Sequence, residues 1–174
     1  MATPPPPDPR PLDRAAELIR AASRPVVVSG LHCTPEDTRW LQAFVEALPA
    51  PVLITRQAKG ALPEAHPLAL GVFTGGEQDD VVLGLADLIV AFGLDPSEVN
   101  PQHWPYAALV ACLARTPHAG YPFTPLVAVV GDLALILEEL APRLRGKTQV
   151  DRDMFQLDRL KKAQRQGAAG KAGR

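Results

Sequence analysis

Gly30, Lys59, Gly60, Gly93, Gly131 and Asp132 are the residues whose types and spacing could do chemistry. Each stands at the end of a short apolar run, or in the loop just beyond it: "PVVVSG", "PVLITRQAKG", "DLIVAFG" and "LVAVVGD". Glycine lets the backbone turn sharply or lets another molecule approach closely. Amides exposed there, beside helix N-termini, suit phosphate groups. If the runs are strands of one parallel sheet, the six residues share its carboxyl edge, where ligands of open α/β sheets settle. Nucleotide binding is the chemistry this set suggests. The fingerprint is incomplete, because "SGLHCT" offers a single glycine and neither GxGxxG nor GxxxxGK[ST] occurs. Asp132 also has the place of a helix N-cap, and each glycine also fits an ordinary turn.

Other chemistry finds little support. His32, His66, His103 and His118 show no HExxH and no pairing with cysteine, so no metal site is expected. His66 precedes Pro67, which suits an ordered loop. Ser29 in "VVSGL" does not match a GxSxG elbow. Asp79 and Asp80 read as the acidic start of a helix. With no nucleophile–base pair, no catalytic residue is assigned. Cys33 and Cys112 match no CxxC spacing and read as reduced, half-buried thiols of a cytoplasmic protein. The opening "TPPPP" lacks the basic start and apolar run of a signal peptide. No apolar stretch approaches the roughly eighteen residues of a membrane span, so a soluble protein with no membrane role is expected.

The elements that must position these residues follow from periodicity. "LDRAAELIRAAS" carries Leu12, Ala15, Ala16, Ile19 and Ala22 at helical spacing, and "PVVVSG" follows as a buried strand. "TPEDTRWLQAFVEALPA" is a helix with Thr34 as N-cap and Trp40, Leu41, Phe44, Val45 and Leu48 as its stripe. "PVLIT" is a strand leading into a long loop, "RQAKGALPEAHPLALGV". A third helix over "GEQDDVVLGLA", strands over "DLIVAFG", "AALVACLA" and "LVAVVG", and a helix from Asp132 complete the pattern. No helix separates the last two strands, where "RTPHAGYPF" is broken by proline. Five continuous apolar strands alternating with helices predict a mostly parallel sheet covered on both faces.

Composition sets the boundaries. Much of the proline (19 residues) lies in "TPPPPDPRP", so residues 1–11 read as a Pro-rich linker. Residues 12–146 form the domain. Residues 147–174 hold eight Lys or Arg against three Asp, a basic tail on an acidic body. Its plainest reading is a solvated or tethering segment, not a nucleic-acid arm, with a short helix carrying Met154, Phe155, Leu157 and Leu160 and a disordered end.

Four stretches in order, "AAELIRAASRPVVVSG", "PAPVLITRQAKGALPEAHPLALGV", "LADLIVAFG" and "PLVAVVGDLALILEEL", resemble the central domain of thiamine pyrophosphate-dependent enzymes. Acetolactate synthase, pyruvate-oxidase-type enzymes and benzoylformate decarboxylase belong to that group, and "KGALPEAHPLALG" is the most specific segment. The resemblance implies a three-layer Rossmann-like domain of the DHS-like NAD/FAD-binding type with a five- to six-stranded sheet. It implies a strand-end site for FAD, ADP or coenzyme A in some relatives and a bare brace in others, with Lys59 and Gly60 facing a nucleotide or a neighbouring domain. Relatives that bind nucleotide tend to carry an acidic run after the fourth strand, where this chain reads "LARTPHAGYP". Thiamine pyrophosphate and magnesium are held by the family's other two domains, so both would reach this chain through partners. "VGDL" lacks the downstream Asn of the family's GDG…N motif.

The function expected is a non-catalytic central domain of a thiamine pyrophosphate-dependent lyase or transferase, of decarboxylase or carboligase type. It would assemble with chains that carry the thiamine site, or self-associate. The alternative is a stand-alone FAD, ADP or coenzyme A module similar to the ε subunit of archaeal carbon monoxide dehydrogenase. Loss of neighbouring domains would expose Trp104, Tyr106, Tyr121, Phe123 and the Met154/Phe155 segment as contacts.

Overall fold

The computed structural model describes residues 5–146 and Gln164. The expected tail helix with Met154, Phe155, Leu157 and Leu160 lies outside the described residues. Six strands form one sheet: β1 (Pro25–Ser29), β2 (Val52–Thr55), β3 (Ala69–Phe73), β4 (Leu88–Phe92), β5 (Leu109–Ala114) and β6 (Val127–Val130). Every pairing is parallel and the order is β3-β2-β1-β4-β5-β6. The direction of strand progression reverses between β1 and β4, which makes that crevice the switch point of the sheet.

The central strands explain their own burial. β1, β2 and β4 are buried at every position, as expected where both faces are covered. Val27, Val52, Val90 and Phe92 join the core on one face. Val26, Val28, Leu53, Ile89 and Ala91 join the core on the other. Alternate side chains of a strand point to opposite faces, so one run of β-branched residues feeds two cores.

Helices α1 (Pro9–Ala21), α2 (Pro35–Ala47) and α4 (Leu133–Arg143) all bury their apolar stripes in the first core. The expected stripe of α2 holds, with Leu41, Phe44 and Val45 buried and Trp40 packed at its margin. Helix α1 begins inside the segment read as linker. Asp8 caps it by accepting the Arg10 amide at 3.1 Å, and Pro7 is buried with its Cβ 3.6 Å from where a Cβ on Gly131 would stand.

The opposite face is covered differently. The expected helix over "GEQDDVVLGLA" is a 3-10 turn, Glu77–Asp79, followed by the single turn α3 (Asp80–Leu83). Asp79 is fully buried and reaches back to accept the amides of Thr74 and Gly75 at 3.0 and 2.7 Å. Asp80 accepts the Tyr106 hydroxyl at 2.7 Å and faces His103 Nε2 at 2.9 Å. The paired acids hold loops instead of starting a long helix. Beyond α3, the loops after β4 and β5 cover this face with Trp104, Tyr106, Tyr121 and Phe123. Trp104 and Phe123 meet with ring centroids 4.5 Å apart, and Tyr121 stacks on Phe123 at 4.7 Å.

Two expectations change here. Ala69–Phe73, inside the segment expected as loop, is strand β3 and brings the sheet to six strands, within the five to six that the resemblance implies; His66, Pro67 and Gly71 interrupt the apolar run there. Gly71 adopts φ +135°, and the register with β2 shifts between Val52 and Leu53, so β3 is an irregular edge strand. The four aromatics expected to be exposed are half-buried over the second core. Exposed apolar side chains lie instead at Leu31, Val81, Leu109, Leu126 and Val130. Among the described residues no helix is long and apolar enough to cross a membrane.

Candidate functional site

Parallel strands deliver all their carboxyl ends to one edge, so the six singled-out residues lie along that edge, in three places. Gly30 and Gly93 meet at the switch point, where the Gly30 amide donates to Phe92 O at 2.9 Å and the His32 amide donates to Gly93 O at 2.9 Å. Lys59 and Gly60 lie beyond β2. Gly131 and Asp132 follow β6.

At the switch point the space beside Gly30 is occupied by the chain itself. A Cβ on Gly30 would stand 2.5 Å from Glu98 Oε2 and 2.7 Å from Gly93 O, and one on Gly93 would stand 2.9 Å from the Cys33 nitrogen. Glu98 belongs to the 3-10 turn Pro96–Glu98, whose N-cap is Asp95. Its carboxylate accepts the Leu31 amide at 3.0 and 3.1 Å, the Asp95 amide at 2.9 Å and the Thr55 hydroxyl at 2.6 Å. Backbone amides at such a crevice ordinarily suit an anionic ligand. Here the anion is an acid of the protein. The sequence carried a signal for it: "DPSE" is an acid-x-x-Glu capping box.

Arg115 ties the next part of the edge together. Its Nε donates to His32 O at 3.0 Å, its Nη2 contacts the buried Asp37, and its Nη1 lies 3.6 Å from Asp132 Oδ2. Asp37 in turn accepts the Thr34 amide and hydroxyl, both at 2.8 Å. Asp132 accepts the Leu135 amide at 3.0 Å and caps α4. Arg115 stands where nucleotide-binding relatives were expected to carry acids. Its role was not legible in sequence, because its partners come from residues far away in the chain.

Lys59 and Gly60 line an open cavity of about 540 Å³ with Arg56, Gly71 and Gln164. Gly60 adopts φ +98° and a Cβ there would meet nothing within 4 Å. The loop is pinned downstream, where His66 Nε2 lies 2.8 Å from Glu46 Oε1 of α2 and His66 Nδ1 accepts the Leu68 amide at 3.1 Å. Gln164 closes the far wall by donating to Val72 O at 2.7 Å. Cys112 is buried within β5, and Cys33 is partly buried in the loop after β1. Burial pushes Cys33 up to about 11 and Cys112 up to about 12, so neither is a thiolate at neutral pH.

The thiamine pyrophosphate enzyme central domain model matches residues 12–140. This chain belongs to that family. The central domain is 29% identical to the acetolactate synthase isozyme 1 large subunit of Escherichia coli over 143 residues, covering 79% of this chain and 25% of that protein. It is 30% identical to the sulfoacetaldehyde acetyltransferase of Rhodobacter capsulatus over 159 residues, 86% of this chain and 27% of that one. The crystal structure of benzoylformate decarboxylase from Polynucleobacter necessarius matches with a TM-score of 0.69 at 27% identity, over 85% of this chain and 30% of that chain. The central domain thus spans about a quarter of the length of the curated relatives it matches.

Proposed function

We propose that this central domain is a non-catalytic brace in a thiamine pyrophosphate-dependent enzyme of decarboxylase or carboligase type, packed against domains or chains that carry the thiamine site. The observation that carries this reading is an uncovered apolar strip. Ala128 and Val130 point to one face of β6, Leu126 directly precedes the strand, and all three are exposed. In a three-layer fold that face has a helix over it; here the proline-broken loop after β5 provides none. A neighbouring domain supplies the missing layer.

The site geometry supports the brace over a stand-alone nucleotide module. The Glu98 carboxylate fills the switch point and repels a phosphate there. Thiamine pyrophosphate with magnesium does not fit the "VGDL" turn either. Asp132 is engaged as the cap of α4 and faces Arg115, so it is not free for a metal. Lys59 and Gly60, on the open cavity, are the second contact offered to a neighbour.

The test is native capture of the full chain followed by identification of its partners. The expected particle contains a thiamine-site chain or domain, and it converts a 2-oxo acid when thiamine pyrophosphate and magnesium are present. Isolated residues 1–174 should show no turnover and no calorimetric binding of thiamine pyrophosphate. Turnover by residues 1–174 alone would overturn the proposal, as would a native particle with no thiamine-dependent component.

A further inference from the structure

We propose that His32, Asp95 and His118 form a binding site for a first-row divalent transition ion such as Zn²⁺. The three residues follow β1, β4 and β5, which are adjacent strands in the sheet, so parallel topology brings together side chains that lie up to 86 positions apart. One potential ligand atom from each lies within 4.8 Å of the other two. His32 Nε2 is already 3.1 Å from Asp95 Oδ2. Tetrahedral coordination at ordinary zinc distances spaces its ligand atoms about 3.4 Å apart. The widest pair must therefore close by about 1.4 Å at most, the scale of a side-chain rotation on a loop.

The site is oriented from outside. Asp95 Oδ1 accepts the Ser97 amide at 2.9 Å and the Ser97 hydroxyl at 2.6 Å, which leaves Oδ2 turned toward His32. The same Ser97 bonds, aided by the two nearby histidines, hold the Asp95 carboxyl below its ordinary range. The His32 backbone is clamped on both sides, by Gly93 O and by Arg115 Nε. Tyr121 donates to Leu94 O and sets its ring edge-on to His118 at 6.2 Å. Such supporting bonds orient metal ligands.

The donor set selects the ion. Two imidazoles and one carboxylate suit zinc, cobalt or nickel better than calcium or magnesium, which prefer all-oxygen sites. Three protein ligands leave a fourth position open to water. With the side chains of His32 and Asp95 about one quarter exposed, an ion has access from solvent. The two rings stack at 5.2 Å with 28° between their planes. An ordinary ion pair would account for the His32–Asp95 contact alone and would give His118 no part in metal affinity.

The experiment titrates the full, tag-free chain with Zn²⁺ by calorimetry and with Co²⁺ by visible absorption. One ion per chain is expected, with a Co²⁺ spectrum of low coordination number. His118→Ala and Asp95→Asn should each weaken binding by about tenfold or more, the scale seen when metal surroundings are altered. A His66→Ala/His103→Ala variant should bind like the wild type. Circular dichroism tests whether each variant is folded, and His118, on an exposed loop, decides the matter if an Asp95 variant is not. No Zn²⁺ binding, or equal affinity in His118→Ala, overturns the proposal.

Discussion

A methyl group at position 30 would stand 2.5 Å from Glu98 Oε2, 2.6 Å from Leu94 Cα and 2.7 Å from Gly93 O. Two of those neighbours are backbone, so no rotation relieves the clash. Gly30→Ala should therefore destabilise the domain by about 2 kcal/mol or more in urea unfolding, in the range of core overpacking. Gly60→Ala, where nothing lies within 4 Å, meets only the strain of a left-handed backbone and should cost about 1 kcal/mol. Equal losses at the two positions would contradict the close approach described for Gly30. The sequence placed both glycines at strand ends but could not tell them apart. One packs against its own chain and the other opens on a cavity, and that distinction depends on Glu98, 68 positions downstream of Gly30.

Elements were legible wherever local signals agreed with the tertiary contacts. Thr34, Pro35 and Asp37 mark the start of α2, and Asp132 marks that of α4. Asp132→Ala should remove the bond to the Leu135 amide and cost about 1 kcal/mol by urea unfolding. Asp132→Ser should recover most of that loss, because serine caps as well as aspartate. If serine recovered nothing, the contact with Arg115 would be the dominant role of Asp132. Strand β3 leaves little trace in the sequence because an edge strand needs fewer apolar residues, and Gly71 breaks the run. The helix before β4 is shorter than expected, because Asp79 and Asp80 fit a helix start yet bond to Thr74, Gly75, Tyr106 and His103.

At the scale of the molecule the two faces of the sheet differ. Among the described residues three helices cover one, while a single helical turn and an aromatic lid cover most of the other. The strip on β6 is where that second layer stops. Val130→Asp should leave stability within about 0.5 kcal/mol, as for surface substitutions, and weaken the proposed assembly with a thiamine-bearing partner by about tenfold or more. Sedimentation of the reconstituted complex reads the second effect and urea unfolding the first. An unchanged complex would remove the strip from the interface.

By itself the sequence determined the class of fold, the family resemblance and the edge on which the glycines lie. Apolar runs, caps and turn residues are local properties, and parallel strands must end on one side. Only the tertiary structure decided what occupies that edge. Glu98 in the crevice, Arg115 between Asp37 and Asp132, and His32 beside Asp95 and His118 are meetings of loops far apart in the chain. Strand order sets those distances, and no periodicity in the chain records it.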